Sequence, residues 1–331
     1  MSTYKQIYGY AIKDVASDPS ADEGQLWYNN ASYAFKLSAL STVGTWASGG
    51  NLNTARNSAG GSGTQTAALA FSGSPTGTSL TSTTELYNGT SWTTSPATMN
   101  TARRNIASAK SGTQTAALGF AGYPISGVGT ASESWNGSSW TNTPSLNTAR
   151  QLAGGIGIQT AAIVFGGYVP SGITNATESW NGSSWTTSPA TMNTTRAGLS
   201  GSGLQTSGLA FGGTPTGPGY LTATESWNGT SWTPVNSMNT ARTYLGGCGT
   251  QTLALAFGGS TPSVTGATEL WNGTSWTSNP NSMSTGRLLP GSAGTQAAAL
   301  AFGGYNGTAQ SAVTEEFTGP GSSVTKTVTT S

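Results

Sequence analysis

One arginine recurs through this chain with the regularity of a ruler. It stands at Arg56, Arg103, Arg150, Arg196, Arg242 and Arg287, at intervals of 47, 47, 46, 46 and 45 residues. A glutamine keeps the same beat at 65, 114, 159, 205, 251 and 296, and a glutamate at Glu85, Glu133, Glu178, Glu225, Glu269 and Glu315. Six copies of a unit of about 46 residues leave little freedom of fold. A period of this size makes each copy one supersecondary unit that buries its faces against its neighbours.

Each unit reads as four short strands. The first follows "TAR"; the second is "QTAALAF", almost wholly apolar, as befits a strand covered on both faces. "GG" or a close variant ends it, and a variable loop leads to the third strand, "TESW". Asn-Gly then predicts a tight type I′ turn. "SSWTT" returns as the fourth strand, and "SPATMN" crosses to the next unit. A four-stranded meander at this period is the signature of a β-propeller, and the many Ala and Gly of the inner strands suit the crowding near its axis. The expected fold is all-β, with six four-stranded blades. Unit six has its third strand, "TEEF", but no Trp-bearing fourth strand after it, whereas Trp46 precedes unit one at a fourth-strand position. A strand near Trp46 therefore closes the ring and removes an exposed edge.

The details resemble the kelch repeat. "MNTAR", "LAFGG" and "TESWNGSSWT" match its paired glycine at the end of the second strand and its spaced aromatics around the turn between strands three and four. Those positions are Gly166-Gly167, Trp180 and Trp185 in the third unit, and Gly258-Gly259, Trp271 and Trp276 in the fifth. The resemblance spans roughly residues 41–317. Units one and two depart from it with Ser72-Gly73 and Ala121-Gly122, where the second glycine still permits the turn.

Only 7% of residues are charged, against about 25% in an ordinary domain. Arginine starts strand one and glutamate starts strand three, and alternate strands of a meander run parallel, so both sit at one end of the blade. They are about 9–10 Å apart at the usual strand spacing, within reach of a long side chain. Matched numbers favour a structural ring of Arg–Glu pairs, since an unpaired buried charge is costly. The competing reading is a charged mouth for an anionic ligand or a catalytic acid. The fourth-strand tryptophans Trp46, Trp92, Trp140, Trp185, Trp232 and Trp276 read as an outer core, or alternatively as stacking platforms in sugar pockets between blades. Asn-Gly-Ser/Thr at Asn88, Asn136, Asn181, Asn228 and Asn272 matches glycosylation sequons, but turn chemistry explains it better.

Catalysis is not expected. The chain has no histidine, which removes the usual general base and the commonest metal ligand. All three aspartates, Asp14, Asp18 and Asp22, lie ahead of the repeats. Neither a cofactor nor a metal site is expected. The one cysteine, Cys248, reads as a small packed side chain. A net charge of +1 without a basic stripe argues against nucleic acid. No apolar run of about 18 residues points to a membrane span. The loop between strands two and three differs most among the units, and all six copies fall on one face. Its tyrosines Tyr123, Tyr168, Tyr220 and Tyr305 are the candidate ligand or partner contacts.

Residues 1–40 differ from the repeats, and the domain reading is a segment 1–40, a propeller 41–317 and a C-terminal tail 318–331. "ADEGQLWYNNASYAFK" predicts a small hairpin. It resembles a segment of tailed-bacteriophage virion proteins, in which Glu-Gly precedes a Trp-Tyr-Asn strand. The whole chain, with its Asn-Thr-Ala-Arg and Gly-Thr-Gln-Thr-Ala blades, also resembles kelch-like structural proteins of marine tailed phages, including cyanophages. The resemblance implies a non-enzymatic virion protein (tail fibre, tail tip or capsid surface), made in the host cytoplasm without a signal peptide. It would attach to other virion proteins through residues 1–40, with Trp27 and Tyr28 as contacts, and display the propeller to a host surface glycan or receptor. The alternative is a free-standing lectin with pockets between blades.

Overall fold

A computed structural model describes residues 6, 7, 10, 11, 13–15, 26–124, 126–321 and 323–327. They form two compact units, residues 45–317 and residues 1–44 with 318–331. All regular structure among the described residues is β.

Residues 45–317 are a six-bladed β-propeller, each blade a four-stranded antiparallel meander. Blade three shows the plan: Gly154–Ile158, Ala161–Phe165, Thr177–Trp180 and Trp185–Thr187 follow one another outward from the axis. Its register pairs Gly154 with Phe165, Phe165 with Thr177 and Trp180 with Trp185. The last blade combines Gly291–Gly294, Ala298–Phe302 and Thr314–Thr318 with Thr45–Ser48 from the other end of the repeats. Trp46 thus sits on the strand that closes the ring.

Small inner residues make room for large aromatics. A Cβ on Gly154 would lie 2.2 Å from the Phe165 ring. The phenylalanine of each second strand is fully buried, and the fourth-strand tryptophan of the next blade packs on it. Ring centroids are 4.8 Å apart for Phe71 and Trp140, 4.9 Å for Phe120 and Trp185, and 5.2 Å for Phe257 and Trp46. Such a pair adds about 0.5–1.5 kcal/mol to the burial of its area. Six of these contacts, one between each pair of neighbouring blades, are the core.

The Asn-Gly turn differs from the type I′ expected. Tyr87 pairs directly with Trp92, so the loop has four residues, 88–91. Only the glycine has positive φ, 92° at Gly89. Asn88 Oδ1 accepts from the backbone N–H groups of Thr90 and Ser91 and from the Thr90 hydroxyl, at 2.9–3.0 Å. The asparagine side chain stands in for a backbone acceptor, and the Ser/Thr after Asn-Gly is a second donor to it. The sequon-like triplet is therefore turn chemistry.

The other unit is a sheet in which Leu26–Asn29 lies between Lys13–Val15, which it pairs in parallel, and Ala34–Leu40. Ala34–Leu40 continues to Ser323–Thr327, so residues of the C-terminal segment supply the fourth strand. Trp27 is buried, and the Tyr28 and Phe35 rings pack at a tilt, with centroids 5.1 Å apart. Of the candidate attachment segment, residues 1–5, 8, 9, 12 and 16–25 lie outside the described residues.

Candidate functional site

Each blade carries one buried ion pair at the end where the chain enters from its neighbour. Arg150 Nη2 lies 2.8 Å from Glu178 Oε1, and Arg56–Glu85, Arg103–Glu133, Arg196–Glu225, Arg242–Glu269 and Arg287–Glu315 repeat the arrangement. The glutamate does more than neutralise the arginine. Glu178 accepts the backbone N–H groups of Asn147 and Thr148, at 2.7 and 3.1 Å, and so fastens the crossover into the blade. Arg150 Nη1 donates to the carbonyls of Gly166 and Ala176, at either end of the variable loop. Burial pulls these arginines below their ordinary pKa, to about 10 for Arg103, Arg196 and Arg287, against the opposing pull of their glutamates. All six stay charged at neutral pH. One pair thereby anchors crossover, loop and third strand together, and none of the twelve groups is open to a ligand.

Two further fasteners were not recognised in the sequence, although both belong to the repeat. Asn147 Nδ2 donates to the Trp185 carbonyl at 3.1 Å, with counterparts in four other blades. The glutamine of "GTQT" reaches the preceding blade, as Gln114 Nε2 does to the carbonyls of Ala68 and Tyr87.

Trp92, Trp140, Trp185, Trp232 and Trp276 are 5–6% exposed, and Trp46 is half-buried. Their indole N–H groups point into the ring, as Trp140 Nε1 does to Thr84 Oγ1 at 2.8 Å. They fill the space between blades. The loop tyrosines share a face but are not equivalent. Tyr220 is 37% exposed, whereas Tyr123, Tyr168 and Tyr305 are half-buried. Tyr123 lies beneath Arg104, whose Cζ is 5.2 Å from its ring centroid.

The axis holds what the sequence reading missed. The residue two beyond each ring arginine has positive φ: Ser58, Asn105, Leu152, Gly198, Tyr244 and Leu289. Their amides pass hydrogen bonds from blade to blade around the channel mouth, Ser58 to Leu289, Leu289 to Tyr244, Tyr244 to Gly198, Gly198 to Leu152 and Leu152 to Asn105. Within this girdle lies a cavity of about 80 Å³ lined by residues from all six blades. Ser58, Asn105, Leu152, Tyr244 and Leu289 also line an outer pocket of about 290 Å³, which Arg104 borders.

Blade two breaks the pattern here. Nine residues separate arginine from glutamine in five units, but eleven separate Arg103 from Gln114. The register shows where the extra two go. Ala107 and Ser108 pair with Phe120 and Gly119, as Gly60 and Gly61 pair with Phe71 and Ala70. The surplus pair is Lys110-Ser111, which leaves the strand and crosses the axis. Lys110 Nζ donates to Ser200 Oγ at 2.8 Å and to the Gly247 carbonyl at 3.1 Å, and Ser111 Oγ to the Gly203 carbonyl at 2.9 Å. Burial lowers the Lys110 pKa to about 8, and the neighbouring Cys248 thiol is pushed up to about 12 by burial. The eleven-residue spacing was the available signal.

No protein-family model matches the chain, and no curated protein matches it in sequence.

Proposed function

We propose that this chain is a non-enzymatic structural protein of a phage particle, in a tail fibre, tail tip or capsid surface, that holds a rigid propeller out for binding. The observation that carries this reading is the division of labour between the two levels of the repeat. Every element that fixes one blade to the next recurs almost unchanged, whereas the variable loops vary in length and sequence on one face. Rigid scaffolds that confine variation to loops serve recognition. The virion setting is supported by the resemblance of residues 21–36 and of the blades to tailed-phage structural proteins, and residues 1–40 are the proposed attachment to other virion proteins. A host surface glycan or receptor is the proposed ligand of the loop face. Sugar stacking between blades finds no support, because the tryptophans there are buried.

Density-gradient purification of particles followed by mass spectrometry tests the setting. Co-migration with capsid proteins at constant stoichiometry is the expected result. Recovery only in the soluble fraction would remove it.

A further inference from the structure

Outside the six ion pairs, residues 45–317 contain three charged side chains: Arg104, Lys110 and Glu316. Glu316 accepts the Tyr87 hydroxyl at 2.6 Å. The two cations have no acidic partner among the described residues, both belong to blade two, and both face the axial passage. We propose that this passage binds a small oxyanion, seated against Lys110 on its floor and admitted past Arg104 at its mouth.

Three observations converge on it. First, Lys110 is half-buried at the axis, its Nζ held by two neutral acceptors with no counter-charge among the described residues, so a nearby anion would stabilise it. The six buried arginines of the propeller each have a glutamate. Second, the cavity beside it measures about 80 Å³; one water needs roughly 10–15 Å³ by this measure, so a tetrahedral oxyanion fits. Its lining includes no described carboxylate. The Ser200 hydroxyl accepts from Lys110 and keeps its own proton to donate, whereas Ser58 and Ser292 already donate to Asn57 Oδ1 and the Gly247 carbonyl, and Asn105 Nδ2 gives one N–H to Gln151 Oε1. Third, Arg104 borders the outer pocket, spends one nitrogen on the Gly77 carbonyl and has no carboxylate partner among the described residues, and a guanidinium is suited to oxyanions by its planar fork of donors.

The oxyanion could be a free inorganic ion or the terminal acid group of a surface glycan. The structural alternative is that Lys110 is only a spoke across the axis, with water filling the cavity. The titratable groups lining the passage are Lys110, Tyr244 and Arg104, with Cys248 packed beside Lys110. Burial raises the pKa of both Cys248 and Tyr244, which leaves them neutral below pH 9. Only Lys110 changes charge between pH 7 and 9, so binding must weaken as pH rises through about 8.

Calorimetric titration of the full chain with sodium sulfate, at constant ionic strength and pH 7, tests this. The expected result is one saturable site, weakened at least tenfold by Lys110→Met, three- to tenfold by Arg104→Gln, and progressively from pH 7 to pH 9. Phosphate and glucuronate are then used as competitors. Displacement by phosphate alone assigns a free ion, and displacement by glucuronate as well extends the site to acidic sugars. No heat with the wild-type chain, or wild-type affinity in both variants, overturns the proposal. Should Lys110→Met fail to fold, the Arg104→Gln affinity and the wild-type pH dependence still decide it.

Discussion

Blade two and blade three occupy equivalent places in the ring, yet they are held together differently. In blade three, Arg150 meets Glu178 at 2.8 Å and both loop carbonyls. In blade two, Arg103 lies 3.2 Å from Glu133, reaches only the Gly119 carbonyl, and leaves Nη1 without an acceptor; Nε is unpartnered in both blades. Blade three has Gly166 where its second strand ends; blade two forces Ala121 into the same left-handed turn, at φ 60°. Blade two also carries the two-residue insertion and both unpaired cations. Its inner strand shortens to Ala107–Ser108, and the amide girdle has no link from Asn105 to Ser58. The blade that departs from the repeat has given up stabilising contacts where it gained the axial lysine. That is the pattern expected where a functional site is built at the expense of local regularity.

The largest test of this difference removes the arginines. Arg150→Met leaves Glu178 buried without its cation and costs about 3–5 kcal/mol. Arg103→Met removes a weaker pair and one more orphaned donor than Arg150→Met does, and its cost falls short of the other by about 1 kcal/mol, the scale of a lost hydrogen bond. Denaturant midpoints at unchanged slope measure both. Equal losses would mean that the contacts missing from blade two carry no weight.

Next comes the turn after the second strand. Gly166→Ala places a Cβ 2.7 Å from the Arg196 carbonyl in a left-handed conformation and destabilises by about 1–2 kcal/mol. The reverse change in blade two, Ala121→Gly, relieves that strain but frees the unfolded chain by about 0.4–1 kcal/mol, so its gain is small. Thermal unfolding of the two variants separates them. A large gain from Ala121→Gly would show that blade two had not adapted to its alanine.

What was legible in the sequence follows the same divide. The six blades, the strand that closes the ring and the shared end of arginine and glutamate could all be read, because each is written six times and the register of a meander leaves no other arrangement. The Asn-Gly loop was misread because propensity favours a two-residue turn, while the hydroxyls at positions such as Thr90 and Ser91 extend the loop around the asparagine carbonyl. The axial lysine was overlooked because alignment on the repeat discards what fails to repeat. Which side chains converge on the axis also depends on all six blades at once, and local pattern carries no information about that.

A pH profile tests the lysine in place. Lys110 titrates near 8 in the folded chain and at its ordinary 10.5 when unfolded. Above about pH 8 the unfolded chain therefore holds more protons, and stability rises with pH by up to about 1.4 kcal/mol per unit. Cys248 works the other way, because its ordinary value is 9 and its folded value about 12. The unfolded chain starts losing that proton near pH 9, so the rise gives way to a plateau there. Lys110→Met abolishes the rise between pH 8 and 9, and Cys248→Ser extends it upward. A profile identical in wild type and Lys110→Met would show that the lysine is not buried as a cation.

The smallest effect comes from a missing methyl group. In five blades the fourth-strand tryptophan donates its indole N–H to a threonine hydroxyl of the preceding blade, at 2.8–3.0 Å. The exception is Trp185, whose acceptor position in blade two is Ser132. Here both the indole nitrogen and the serine oxygen are buried without partners. Threonine is held to few χ1 rotamers by its second branch, so its hydroxyl is presented to the indole, whereas serine turns more freely and the bond is lost. Ser132→Thr should restore the hydrogen bond and stabilise the protein by about 0.5–1 kcal/mol, the net worth of one such bond. The same substitution at an exposed serine, such as Ser183, should do nothing measurable. A loss of stability in Ser132→Thr would mean that the added methyl group has no room beside Trp185, and that blade two diverges in its packing as well as in its charges.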